Sequence, residues 1–224
     1  MIVIENVTVR GIEEAIRGMR NPLNSWDKSD SYKTYILDEH TLNSADYQFF
    51  VGDDDLKLME ILALGGPVHG KYKRMIQVYA DITAPLYWWK EFDTYKVGTV
   101  ANSCSTMHTI HREPLTIDNF SVEHLGAANV KIIENLIDHI NADISLYKES
   151  KDKHWWWQII QMLPSSFNQK RTVMLNYEVL TNIFQSRRYH KLDEWWRFCE
   201  WIDTLPYAPY IVTGTGLKTD GETE

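Results

Sequence analysis

The sequence predicts one domain that combines strands and helices, and three observations carry that prediction. The chain has 224 residues with 44% hydrophobic content, enough to bury one substantial core. Residues 74–82, RMIQVYADI, alternate apolar and polar side chains as a half-buried strand does. Ile133, Ile137, Ile140 and Ile144 recur at intervals of four, three and four, which sets them on one face of a long helix over 127–147. No repeat or linker interrupts residues 1–212. The Gly, Thr and acidic residues of 213–224 read as a disordered tail.

Composition narrows the function. Net charge is −8 and no basic stripe stands out, which argues against sequence-independent nucleic-acid binding but leaves room for a small anionic ligand. Two cysteines, Cys104 and Cys199, allow no disulfide framework and suit a reducing, cytoplasmic setting. MIVIENVTVRG has no basic segment followed by a long apolar run, so it does not read as a signal peptide. No apolar stretch approaches the length of a membrane span.

The elements follow in order. Residues 2–9 alternate with β-branched side chains and read as a strand ending before Gly11. Residues 12–19 make a short helix with Ala15, Ile16 and Met19 on one side, and 21–30 make a loop. Residues 33–52 carry no clear period. Asp53, Asp54 and Asp55 favour the positive end of a helix that Gly65-Gly66-Pro67 stops, and His69 follows in a loop. Pro85 opens a further helix, LYWWKEF, whose Trp88, Trp89 and Phe92 suit a core. His108 and His111, three apart, lack companion ligands, so no metal site is expected. The charged run 148–154 reads as a solvated connection, 155–163 as a helix, and 192–202 as a final helix that buries Cys199.

The stretch 163–201 holds the polar residues of most interest. Residues 170–175 read as a short extended or helical link. On a continuous helix, Asn176, Leu180, Ile183 and Arg187 fall within a sector of roughly 60°. That stripe puts an amide and a guanidinium about 16 Å apart. Capping by Asn176 and a surface Arg187 is the competing structural reading.

This stretch resembles the C-terminal segment of flavin-dependent thymidylate synthases. In that family a Leu-Pro pair is followed by Asn twelve residues after the Pro, a second Asn six later and an Arg five after that, and here Pro164, Asn176, Asn182 and Arg187 stand at those places. The element order agrees over roughly 1–205, so the chain looks like a divergent, phage-like member. The resemblance implies a compact α+β domain with an antiparallel-rich sheet packed with helices. It implies that His69, Asn176 and Asn182 contact FAD and that Arg187 holds the nucleotide.

The family's central signature departs from the pattern. DTYKVGTVANSCSTMH stands where Arg-His-Arg and its serines and glutamate belong. One register puts Thr94, Tyr95 and Lys96 at the basic positions, Asn102 at the glutamate and Cys104 at the second serine. Shifting by one residue puts Ser103 at that serine and Ala101 at the glutamate. Lys96 keeps one positive charge, as a point and not a fork. Ile160 replaces an arginine four residues before Pro164.

The function implied is reductive methylation of dUMP to dTMP, with FAD reduced by NADPH and methylenetetrahydrofolate giving the carbon. The assembly implied is a homotetramer with sites between subunits. Ser103 or Cys104 would lie by the reacting pyrimidine, and Lys96, Asn102 and Arg187 would bind the nucleotide. Two alternatives stay open: a related enzyme acting on another pyrimidine nucleotide, and a non-catalytic homologue that binds a nucleotide or flavin.

Overall fold

Alternation along Gln77–Pro85 (β4) sets Val78, Ala80 and Ile82 into the core while Tyr79 stays exposed, and this strand lies inside the main sheet. The computed structural model describes residues 1–36 and 46–217. Its four-stranded sheet runs in the order β1-β4-β6-β5, with Val3–Arg10 (β1) and Val100–Ser103 (β5) at the edges and Asn168–Asn176 (β6) inside. β5 pairs antiparallel with β6, Asn102 opposite Thr172 and Ser103 opposite Arg171. A second, antiparallel pair joins Tyr32–Ile36 (β2) to Asp46–Phe50 (β3). With its helices this is the α+β domain that the resemblance implies.

Within it the chain gathers into two compact units. The first comprises Met1–Val7, Tyr79–Met174 and Leu192–Arg197. Besides β5 and the greater part of β1, β4 and β6 it holds Leu86–Phe92 (α3), Thr106–Thr109 (α4), Ala127–Ser150 (α5) and Lys153–Met162 (α6). The isoleucine stripe of α5 does what its spacing predicts. Ile137, Ile140 and Ile144 are buried, in one cluster with Ile110, Leu115, Phe120, Ile159 and Phe167. Trp88 packs against Trp89, Phe92 and Trp195 with ring centroids 4.8–5.1 Å apart, a fully buried aromatic group.

The second unit comprises Thr8–Val78, Leu175–Lys191 and Phe198–Glu224. It holds Ile12–Arg20 (α1), the β2–β3 pair, Asp53–Leu64 (α2), Tyr177–Arg187 (α7) and Ala208–Ile211 (α9). Asp193–Asp203 (α8) begins in the first unit and ends here. Gly11 enters α1 with φ +89°, and a Cβ there would come 2.2 Å from Met75 O, so only glycine fits. The 3₁₀ turn Gly70–Met75 packs on both α1 and α7.

Several sequence readings change. Residues 170–175 belong to an inner strand, β6, because Lys170, Arg171 and Thr172 carry their polar groups to partners at Glu5, Asp93 and Asp81. The ambiguous 33–52 stretch contains β2 and β3. The connection over 148–154 shrinks to Lys151 and Asp152: α5 runs to Ser150, Lys151 takes φ 56°, and Asp152 caps α6 by accepting from His154 N–H. Of the tail read as disordered, 213–217 form a turn in which Thr213 and Thr215 hydroxyls donate to Asp203, and 218–224 lie outside the described residues.

Candidate functional site

Asn176 ends β6 in extended geometry, and its Oδ1 accepts the Val179 N–H at 3.0 Å. It therefore caps α7 instead of lying on it, and the stripe read from Asn176 to Arg187 begins at Leu180. Leu180 and Ile183 are fully buried core residues. Asn182 is exposed on the same helix. Arg187 is the last residue of α7, half-buried and engaged, where its charge complements the helix C-terminus.

His69 is exposed at the start of the Gly70–Met75 turn, its N–H donating to Gly66 O at 3.1 Å. That turn is tied to the first turn of α7 by Arg74 Nε and Glu178 Oε2, 2.6 Å apart. The structure thus puts His69, Asn176, Asn182 and Arg187 on neighbouring elements of the second unit. In the same turn Lys73, 6% exposed, donates to Thr181 Oγ1 and Ile211 O, and burial lowers its pKa.

Lys96, Asn102, Ser103 and Cys104 all belong to the first unit. Every residue of β5 is exposed, and Cys104 N–H donates to Lys170 O at 2.9 Å, which continues the pairing with β6. Side chains alternate across a strand, so Asn102 and Cys104 point one way and Ala101 and Ser103 the other. Lys96 and Ala101 line one groove of about 390 Å³ with Phe92, Asp93, Tyr95 and Thr99. Cys104 lines a different groove of about 340 Å³, beside Thr106, Thr109, Arg112 and Lys170. The two registers of the signature therefore correspond to two faces of one edge strand, and Lys96 does not share a groove with Cys104.

One residue escaped the sequence reading. Arg171, opposite Ser103, donates from Nη1 to Asp93 Oδ1 at 2.8 Å and from Nε to Gln169 Oε1 at 3.0 Å. Its guanidinium also sits 4.3 Å from the Trp89 ring centroid. The Gln-Lys-Arg run at 169–171 was its signal, legible only once 168–176 is known to be a strand. Cys199 is buried in α8, and burial pushes its thiol up to about 11, so it is no nucleophile. Among the described residues no group of three or more His, Cys, Asp or Glu could hold a metal ion, and no helix is long and apolar enough to cross a membrane.

Comparison with known proteins places the fold. No family model matches the chain, and no curated protein does. Among solved structures, thymidylate synthase X (ThyX) from Helicobacter pylori with FAD and dUMP is similar, with a TM-score of 0.65 and 14% identity over 97% of this chain and 99% of that one. A second structure of the flavin-dependent thymidylate synthase ThyX from Helicobacter pylori, complexed with FAD and dUMP, gives 0.63 and 15% over the same shares. The chain therefore has a ThyX-like fold.

Proposed function

We propose that this protein binds FAD and a pyrimidine nucleotide of the dUMP type and acts as a flavin-dependent thymidylate synthase. The observation that carries the reading is the likeness, over nearly the whole of both chains, to a protein whose structures hold FAD and dUMP. The spacing from Pro164 to Arg187 supports it.

The residues present fit a flavin. His69 and Asn182 offer exposed polar groups on the second unit, while Asn176 has its Oδ1 committed to the cap and only its amide donor to offer. These three would hold the cofactor. FAD, once reduced by NADPH, supplies the reducing equivalents that turn a transferred methylene into a methyl group, methylenetetrahydrofolate being the carbon source. The chain's own task is to bind and align. Arg187 would meet the nucleotide anion, and one face of β5 would meet the rest of it: either Lys96 adds charge with Ser103 by the pyrimidine, or Asn102 hydrogen-bonds the substrate with Cys104 by the pyrimidine. A homotetramer is the assembly we propose, since the family forms its sites between subunits.

The reading is tested by purification and turnover. The protein should be yellow, release FAD on denaturation, and form dTMP from dUMP with NADPH and methylenetetrahydrofolate. A colourless protein that takes up no added FAD would sink it. A second reading has its own support: Thr94, Tyr95 and Ile160 replace cationic positions, and Asp93 neutralises Arg171. A binding-only homologue, or an enzyme for another pyrimidine nucleotide, would bind FAD or nucleotide yet form no dTMP.

A further inference from the structure

Arg171 occupies none of the positions that the resemblance assigns to a ligand, yet its surroundings give it a use. Residues directly opposite in an antiparallel pair carry their side chains on the same side of the sheet. Arg171 stands opposite Ser103 and Val173 opposite Ala101. Ala101 lines the Lys96 groove, so Arg171, Ser103 and Ala101 share the face that this groove opens on. Asn102 shares the other face with Thr172, whose hydroxyl donates to Asp81. There Lys170, the cation nearest Cys104 in the chain pairing, already meets Glu5 at 2.9 Å.

The Arg171 guanidinium is fixed as a planar fork. The Trp89 ring backs it at 4.3 Å, Gln169 Oε1 accepts from Nε at 3.0 Å, and Asp93 Oδ1 accepts from Nη1 at 2.8 Å. Its side chain is 16% exposed, whereas Asp93 is 51% exposed and lines the Lys96 groove. A guanidinium takes carboxylate and phosphate oxygens in the same geometry. Asp93 therefore holds, at the groove wall, the place on the fork that a ligand phosphate would take. An exposed carboxylate leaves such a pair at little cost, since water solvates it. With Thr94 and Tyr95 at two of the basic signature positions, Lys96 alone offers only a point charge. The fork comes instead from the neighbouring strand.

We propose that Arg171 is a substrate-binding residue, which takes the nucleotide phosphate in exchange for Asp93, and that Asp93 competes with the ligand for the fork. The proposal rests on the nucleotide reading above and assigns the substrate to the Ser103 face of β5.

Calorimetry of the FAD-loaded protein tests it, with dUMP and with deoxyuridine, which lacks the phosphate. Arg171→Met should weaken dUMP binding by about tenfold or more. Arg171→Lys, which keeps the charge and loses the fork, should weaken it by about threefold. Deoxyuridine should bind all three proteins alike, whereas a merely structural role would weaken both ligands together. Raising salt should also cost Arg171→Met less dUMP affinity than it costs wild type, a readout that needs no deoxyuridine signal. Circular dichroism should show both variants folded, and if Arg171→Met does not fold, Arg171→Lys carries the test alone. Level dUMP binding across the proteins, or an equal loss for both ligands, overturns this proposal and leaves the nucleotide reading standing. A wild type that takes up FAD but binds no dUMP overturns the two together.

Discussion

Asp55 receives the Arg20 Nε at 2.6 Å inside the second unit, with the two side chains 0% and 5% exposed. The same carboxylate accepts the Ser29 and Ser31 hydroxyls, each at 2.6 Å. One acid from the start of α2 therefore ties down the end of α1 and the loop leading to β2. Asp55→Asn leaves a buried guanidinium without its counter-charge and should cost about 3–5 kcal/mol in urea unfolding. Burial alone pushes the Asp55 pKa up, but the hydrogen bonds from Ser29, Ser31 and Arg20 and the Arg20 charge outweigh it and leave it lowered. A folded-state value below the unfolded one means stability that is present above the unfolded pKa, and it is lost as pH falls through the folded pKa. Between about pH 6 and pH 3 the wild type should therefore lose more stability than Asp55→Asn. Equal acid sensitivity would remove Asp55 from that account.

The two cysteines should separate cleanly. Cys104 is exposed and Cys199 is buried with its thiol raised to about 11. A thiolate is the reacting species, so a neutral-pH thiol reagent should label Cys104 in the native protein and reach Cys199 only on unfolding. Cys104→Ser should abolish native labelling, and labelling that persists would mean the α8 packing is looser than it stands here.

What the sequence showed and what it hid follow from local against non-local causes. The α5 stripe and β4 were legible because each advertises its own period, in Ile137, Ile140 and Ile144 and in Val78, Ala80 and Ile82. β6 was not, since Asn168 to Thr172 is polar throughout and makes sense only beside Glu5, Asp81 and Asp93, distant in sequence. Asn176 was legible as a cap or as a ligand, but its helical position was misread, because whether a helix starts at an Asn or after it depends on the strand it ends. His69 and Asn182 enter the proposed site by resemblance alone. The Gln-Lys-Arg run marked Arg171 only as a polar position, and nothing local joined it to Asp93, 78 residues away.

Asn176 invites a substitution that parts stability from binding. Asn176→Ala removes the acceptor for Val179 N–H and should cost about 1 kcal/mol. Asn176→Asp keeps an acceptor there and should hold stability close to wild type. If the amide donor meets the flavin, Asn176→Asp should nonetheless lose FAD occupancy, measured by absorbance after gel filtration. Full occupancy in Asn176→Asp would leave this residue a cap and nothing more.

The last prediction concerns the charge around Lys96. Its groove has one carboxylate among the described lining residues, Asp93, and that group is 2.8 Å from Arg171. Asp93 is half exposed, so losing the pair should cost at most about 1 kcal/mol of stability. Arg171 would stay in place, held by Gln169 and the Trp89 ring, while the groove loses a negative charge. If nucleotide phosphate enters this groove, Asp93→Asn should tighten dUMP binding by roughly 1 kcal/mol, about fivefold, at an effective dielectric constant between protein and water. The gain should shrink as salt is raised, because exposed charges are screened. Lys96→Ala should move affinity the other way by a similar factor. Calorimetry of the three proteins at low and high salt decides it. Opposite shifts that both fade with salt fit phosphate in the Lys96 groove. Affinities that stay level in both variants would exclude this groove and turn attention to the one beside Cys104, where Arg112 and Lys170 are the cations.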